Sequence, residues 1–123
     1  MRLTSVVCAS ALGLVLTGGA AVAAPGTEDC SAVSGGVQAC VALRGGSVSA
    51  SAFQNAPLPR DCRIRVVLTG PSADDRAATP WQDCFAGRTT GPALADRPGV
   101  WTSAVTVRSG ERVLASARAR ITR

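Results

Sequence analysis

The residue types that most often perform acid–base and metal chemistry are scarce in this chain of 123 residues. It contains no histidine, which is the commonest general base and a common zinc ligand. A Ser-His-Asp or Cys-His catalytic arrangement is therefore excluded. The chemistry left open depends on eight carboxylates, five cysteines and thirteen basic residues, all of which are arginine.

The carboxylates have no spacing that indicates a catalytic or metal site. Asp61, Asp83 and Asp96 could supply a carboxylate pair of the glycosidase type, but nothing in the sequence brings two of them together. Asp74 and Asp75 lack the alternating oxygen ligands of a calcium loop, so we favour a solvated turn. The sequence thus predicts no enzymatic activity, no metal and no cofactor.

Segment 55–62, Asn-Ala-Pro-Leu-Pro-Arg-Asp-Cys, has features of a protease-inhibitor loop. Two prolines stiffen it, Cys62 would tether it, and Arg60 could enter the specificity pocket of a trypsin-like protease. Leu58, Pro59 and Arg60 are therefore candidate contact residues of an inhibitor. The alternative, which we favour, is an ordinary connection between two sheets.

The first 23 residues predict a secretory signal peptide. Arg2 is the only charge before Glu28, and an apolar stretch over residues 3–16 leads into small residues at 18–24. The stretch is shorter than the roughly 20 residues that span a bilayer. We therefore expect cleavage after Ala23, loss of Cys8 with the leader, and an extracellular product of residues 24–123 without a membrane span.

The charge balance of that product is mildly basic, with twelve arginines and eight acidic residues giving +4. Such a balance permits contact with anionic surfaces. Nucleic-acid binders usually add interleaved aromatic residues or Gly-rich phosphate loops, and aromatic residues make up only 3% of this chain. We expect an extracellular protein or surface ligand as partner, no nucleic acid, and a monomer or weak oligomer.

Apolar and polar residues alternate with period two between Gly and Pro punctuation, which predicts a single all-β domain. Its connections fall at 55–61, 70–80 and 87–98. The seven predicted strands are 30–33, 37–44, 47–54, 62–69, 81–86, 99–108 and 112–122.

Two hairpin registers follow from matching apolar residues across a turn. A two-residue Gly45-Gly46 loop sets Leu43 opposite Val48. A three-residue loop over 34–36 sets Val33 opposite Val37 and Cys30 opposite Cys40. This register predicts a Cys30–Cys40 disulfide, and Cys62–Cys84 follows by elimination, because an even set of cysteines in an exported chain is typical of disulfides. Phe53 falls on the Cys40 face, so either a bulge redirects it or that face is covered.

The last hairpin is predicted to turn through a three-residue loop, 109–111. That loop sets Trp101 opposite Ala119, so a bulky indole on one strand meets a small side chain on the other. The opposite face then carries an arginine row, which we interpret as solvated. The row comprises Arg108, Arg112, Arg118 and Arg120.

Residues 94–101, Leu-Ala-Asp-Arg-Pro-Gly-Val-Trp, lead directly into an alternating strand. This resembles the E–F corner of immunoglobulin-like and fibronectin-type sandwiches, where a turn precedes an inward aromatic residue at the start of strand F. Trp101 replaces the usual Tyr, and Ser103 stands where immunoglobulin domains carry Cys. The resemblance covers about a quarter of the chain and implies the architecture without the inter-sheet disulfide.

With its leader and arginine-rich composition, the chain also resembles small secreted β-sandwich proteins of high-GC Gram-positive bacteria. The expectation is a secreted, immunoglobulin-like, seven-stranded antiparallel β-sandwich with two disulfides and no catalytic activity. It would act as an extracellular binding or interaction module, and a serine-protease inhibitor is the alternative.

Overall fold

The computed structural model describes residues 27–55 and 61–123, and this part of the chain forms two antiparallel sheets without a helix. The nine strands are β1 (Glu28–Cys30), β2 (Val37–Arg44), β3 (Ser47–Gln54), β4 (Cys62–Thr69), β5 (Arg76–Ala78), β6 (Gln82–Asp83), β7 (Gly87–Ala95), β8 (Val100–Ser109) and β9 (Arg112–Thr122).

The chain crosses between the two sheets three times. One sheet has the order β1-β2-β3-β7, and the other has the order β9-β8-β4-β5 with β6 also paired to β4. The crossings run from β3 to β4, from β6 to β7 and from β7 to β8, while β3 pairs with β7 and β4 with β8. The β3–β4 and β7–β8 connections therefore link a pair of neighbouring strands in one sheet to a pair of neighbouring strands in the other, which interlocks the two layers.

The predicted all-β class is confirmed, and four strands have the predicted bounds. These are β2, β3, β4 and β9. The tight turn between β2 and β3 is also confirmed, because Gly45 and Gly46 have φ of 51° and 86° and Leu43 lies opposite Val48. A two-residue loop with positive φ at both positions favours glycine at each.

The prediction of a plain connection over 87–98 is wrong, because most of it is β7. Gly91 and Pro92 gave the segment the composition of a loop. Proline is tolerated because β7 lies at the edge of its sheet, and because the register shifts there, so that Gly91 and Pro92 of β7 lie against the single residue Ala50 of β3. Glycine fits because a Cβ on Gly91 would lie 2.5 Å from the Ala50 carbonyl oxygen.

The described part has nine strands where seven were expected, because β5 as well as β7 lies in a segment predicted as a connection. The predicted connection 70–80 is thus interrupted by β5, and the predicted strand 81–86 is reduced to β6; both short strands pair with β4. The first strand is shifted to Glu28–Cys30, and the eighth runs over Val100–Ser109.

The first hairpin turns through two residues, so the predicted three-residue loop is wrong. Gly35 and Gly36 form the turn, and Ser34 lies opposite Val37. Val33 is left 55% exposed. Residues 31–33, between β1 and the turn, are irregular and absorb the one-residue difference between the Ser34–Val37 register and the Cys30–Cys40 register.

Both predicted disulfides are present. Cys30 still lies opposite Cys40 across β1 and β2, and the two are bonded. The second bond joins Cys62, at the buried start of β4, to Cys84, which follows β6. Both bonds attach short edge elements to long strands.

The last hairpin also turns through two residues, Gly110 and Glu111, instead of the predicted three. Ser109 lies opposite Arg112, and a register shift next to Val107 follows. Gly110 has φ of 59°, so it occupies the loop position that requires a left-handed backbone. A bulge of this kind lets a tight turn and an apolar register coexist.

The observed register differs from the predicted one by two residues. Residues of β8 therefore have different partners on β9, but most side chains stay on the predicted face of the sheet. Trp101 lies opposite Ile121, and Ala119 lies opposite Ser103. Trp101 is fully buried, as its inward position predicted. Arg112 leaves the predicted row, because it lies opposite Ser109 and not beside Arg108.

The core lies between the sheets and is built from alternate residues of five long strands, β2, β3, β4, β8 and β9, with Leu94 of β7 packed against it. Small residues of β3 lie against larger ones of β4 and β8 in the other sheet, and small residues of β9 lie against β2, which lets the layers interdigitate. Its largest fully buried side chains are Trp101, Ile64, Leu68, Val37, Val41, Val48, Val66, Val105 and Val107.

Candidate functional site

The outer face of the five-stranded sheet is the most strongly charged surface of the described residues. Strand alternation turns every second residue of β4, β8 and β9 away from the core. We term the outward arginines of this sheet the arginine face. They are Arg63, Arg65, Arg76, Arg108, Arg118 and Arg120.

Small side chains separate the arginines. Arg120 of β9 and Arg76 of β5 lie in one row across the sheet, with Thr102 and Thr69 between them. A shallow depression of about 320 Å³ lies farther along β8 and β9. It is lined by Ala104, Val105, Thr106, Ser116, Ala117 and Arg118. The face is thus a flat, small-residue floor with a cationic rim.

Trp81 lies on this face beneath two guanidinium groups. The Arg108 guanidinium carbon is 3.8 Å from the Trp81 ring centroid, and that of Arg65 is 5.9 Å away. Such contacts are cation–π interactions. They hold the segment before β6 against the sheet, assisted by the Val66 N–H donating to Thr79 Oγ1 at 3.1 Å.

Acidic residues neutralise little of the arginine face. Asp83 of β6 lies 3.3 Å from Arg63 Nε, and both side chains are largely exposed. The other five arginines of the face form no salt bridge within residues 27–55 and 61–123. Arg76, Arg118 and Arg120 therefore face solvent as unpaired cations of the described residues, whereas Arg65 and Arg108 are half-buried against Trp81.

On the outer face of the other sheet, an arginine is paired with an acidic residue. Arg88 lies over Phe53, 4.5 Å from the ring centroid, and donates from Nη1 to Ser51 Oγ at 2.9 Å. Its Nη1 is also 3.7 Å from Glu28 Oε2. Of the two alternatives left open for Phe53, the structure shows the covered face, with Arg88 as the cover.

The predicted solvated turn at residues 74–75 is wrong for one of its two acids. Asp74 is exposed, but Asp75 is buried and its carboxylate accepts hydrogen bonds from Ser72 N–H and Ser72 Oγ, both at 3.1 Å. Arg97 Nε lies 3.2 Å from the same Asp75 oxygen. The backbone carbonyl of Arg97 accepts from Trp101 Nε1 at 3.0 Å. Asp75 therefore anchors the corner that holds the buried indole.

Two of the three carboxylates considered for acid–base catalysis are paired with arginines. Asp83 pairs with Arg63 and Asp96 with Arg123, whereas Asp61 is exposed at the start of β4. The described residues hold one cluster of three potential metal ligands, Glu28 with Cys30 and Cys40. Its cysteines are joined as a disulfide and cannot bind a metal as thiolates.

Asp96, the residue after β7, and Arg123, the residue after β9, form a two-pronged ion pair. Arg123 Nε and Nη2 donate to the Asp96 carboxylate, with Nη2 to Oδ2 at 2.6 Å. These hydrogen bonds lower the pKa of Asp96 below its ordinary value and raise that of Arg123. The ionised Asp96 is thus favoured in the folded state.

We expect Asp96→Asn to lower the melting temperature at neutral pH, and we expect this effect to shrink as the pH falls below the unfolded pKa. Because folding lowers the pKa of Asp96, its stabilising contribution is present above the unfolded value, about 3.9, and is lost as pH falls through the folded value. Melting curves of both proteins across this range test the expectation. Asp74→Asn, at an exposed carboxylate, is the matched control, and an equal effect there would contradict it.

The candidate inhibitor residues Leu58, Pro59 and Arg60 lie outside the described residues. What is described is the anchor that follows them, Cys62, which is buried and bonded to Cys84. Protease inhibition therefore stays a prediction.

Comparison of the chain with protein-family models, curated proteins and solved structures gives no match. Within the described residues there is also no helix of the length and apolar character that a membrane span requires.

Proposed function

We propose that this chain is a secreted, non-enzymatic binding module whose arginine face binds an anionic partner outside the cell. The observation that carries this proposal is the group of five arginines without acidic partners on one side of a rigid sheet. Charges of one sign on a flat surface attract oppositely charged partners and speed their association.

Secretion is supported by two independent features. The first 23 residues have the charge, apolar core and small residues of a secretory leader. The two disulfides are typical of proteins that fold in an oxidising compartment.

An immunoglobulin-like architecture is part of the proposal. The interlocked pairs β3–β7 and β4–β8 match the way in which two sheets of that class are linked. Trp101 donates to the carbonyl of Arg97, four residues upstream, as the tyrosine-corner hydroxyl does in that class. Three of the nine strands, β1, β5 and β6, are short edge elements of three residues or fewer, and the other six form the body of the sandwich.

A binding role is favoured over catalysis because the acids best placed for chemistry are already occupied. Asp75, Asp83 and Asp96 each pair with an arginine, and Asp75 is also held by Ser72. For Asp96, the hydrogen bonds from Arg123 lower the pKa, which makes this carboxylate a weaker proton acceptor.

Binding of poly-L-glutamate to the protein tests the proposal. We expect Arg118→Ser combined with Arg120→Ser to weaken binding about fivefold at low salt, because each exposed charge pair contributes about 0.2–1 kcal/mol. Binding should also weaken as salt rises.

The matched control combines Arg44→Ser with Arg112→Ser. It removes the same charge from exposed residues outside the arginine face. Equal weakening of binding by both double variants would show that binding depends on net charge alone and not on the arginine face. A wild-type protein that does not bind poly-L-glutamate would overturn the proposal.

A further inference from the structure

Strand β9 has a long open edge. It spans eleven residues and stands last in its sheet, and no strand of the described residues pairs with its outer side. Unpaired backbone groups along such an edge are a template on which another extended chain can add.

The ladder geometry shows which backbone groups face outward. Gly99 and Arg123 exchange both hydrogen bonds, N–H to carbonyl oxygen, at 2.8 and 2.7 Å. Hydrogen-bonded and non-hydrogen-bonded pairs alternate along an antiparallel ladder. When the alternation is followed back along the register from the Gly99–Arg123 pair, the backbone groups of Ala119 bond to β8. The N–H and carbonyl groups of Arg118 and Arg120 then point toward the open edge. Ser116 and Thr122 share this outward phase.

Two residues whose backbone groups face the open edge also carry positive charges. Arg118 and Arg120 have exposed side chains on the arginine face, about 7 Å apart along the strand. Ala117 and Ala119, which alternate with them, face the core side and are half-buried and buried. An added antiparallel strand would therefore place every second side chain beside an arginine and the others beside alanine.

We propose that the β9 edge binds an extended polypeptide segment with acidic residues at alternate positions and small or apolar residues between them. The inference rests on the proposed function, because it specifies the anionic partner as an acidic strand. Backbone hydrogen bonds would supply the pairing, and the arginines would select the register.

Charge argues against the two occupants that this chain could itself supply. A second copy that adds antiparallel in the register centred on Ala119 would bring Arg118 and Arg120 opposite the same arginines of its partner, which is unfavourable. Residues 1–27 contain no acidic residue, so they offer no carboxylate to these arginines.

The test compares modified peptides on the wild-type protein. The probe is a ten-residue peptide in which Glu and Val alternate. In the proposed pairing its glutamates lie opposite Arg118 and Arg120, so their N–H groups bond to β9 and those of the valines point away. N-methylation of the glutamates should weaken binding about tenfold or more, and N-methylation of the valines should leave it nearly unchanged.

The possible results separate this inference from the proposed function. Strand addition is overturned if both methylated peptides bind like the parent, or if both lose binding equally. In either case, poly-L-glutamate binding that depends on Arg118 and Arg120 would leave the proposed function standing. If neither the peptide nor poly-L-glutamate binds, both fail. A dimer in sedimentation velocity that persists at saturating peptide would also overturn strand addition.

Discussion

Replacing Trp101 with alanine should lower the free energy of unfolding by about 3–5 kcal/mol, the usual cost of deleting a large buried ring. The indole has no exposed surface and lies at the start of β8. It is enclosed closely, because a Cβ placed on Gly70 would lie 2.5 Å from Trp101 Cζ3. Denaturant unfolding of the variant and the wild type measures the difference.

Three further variants rank the contributions around this ring. Trp101→Phe keeps an aromatic ring but loses the donor to Arg97, and the lost hydrogen bond should contribute about 0.5–1.5 kcal/mol. Ala119→Leu should cost about 1–3 kcal/mol because it overpacks a buried site. Arg118→Ala should change stability by no more than about 0.5 kcal/mol. An Arg118→Ala cost above that of Trp101→Ala would contradict the assignment of faces.

Loss of both disulfides should be the other large effect, at about 2–4 kcal/mol for each bond. Cys62–Cys84 closes 22 residues and Cys30–Cys40 closes 10. The chain-entropy relation gives about 3.4 and about 2.7 kcal/mol for loops of these lengths. The paired variant Cys62→Ala with Cys84→Ala should therefore be the less stable of the two paired variants.

Denaturant unfolding of the two paired variants, beside the fully reduced wild type, measures these costs. The Cys30→Ala with Cys40→Ala variant is the matched control, because it removes a bond of the same kind from the exposed strand β1. A larger loss in that control would show that loop length does not set the order.

Much of the fold could be predicted from local sequence pattern, because the residues that define turns and the alternation of apolar and polar residues act over short distances along the chain. Gly45 and Gly46 specify a hairpin by their backbone freedom, and the alternation on both sides fixes its register. At the last hairpin the alternation placed Trp101 inward even though its partner was wrong, since a two-residue shift does not exchange faces.

Strand β7 could not be predicted in the same way. Gly91 and Pro92 are unfavourable inside a strand, and only tertiary pairing with β3 at a sheet edge makes them acceptable. The same holds for Asp75, which is predicted as solvated from its neighbours and is buried by Arg97, a residue 22 positions later.

Part of the candidate site could be predicted from the sequence. The alternation put Arg108, Arg118 and Arg120 on one outward face, and the structure keeps them there with Arg118 and Arg120 exposed. Arg108 differs, because it stacks on Trp81, whose segment joins the face through the short strand β6. No local signal places Trp81 there, since two-residue strands have too little pattern to recognise.

The interlocked crossings also affect how fast the protein folds. Pairing of β3 with β7 joins residues as far apart as Ser47 and Ala95, so the chain must close long loops before these contacts form. Folds dominated by such distant pairings reach the native state in milliseconds to seconds. The Cys62–Cys84 bond lies inside that loop and shortens the path between the two strands. Its oxidation before folding should therefore speed the search for the native topology, in addition to any effect on the final stability.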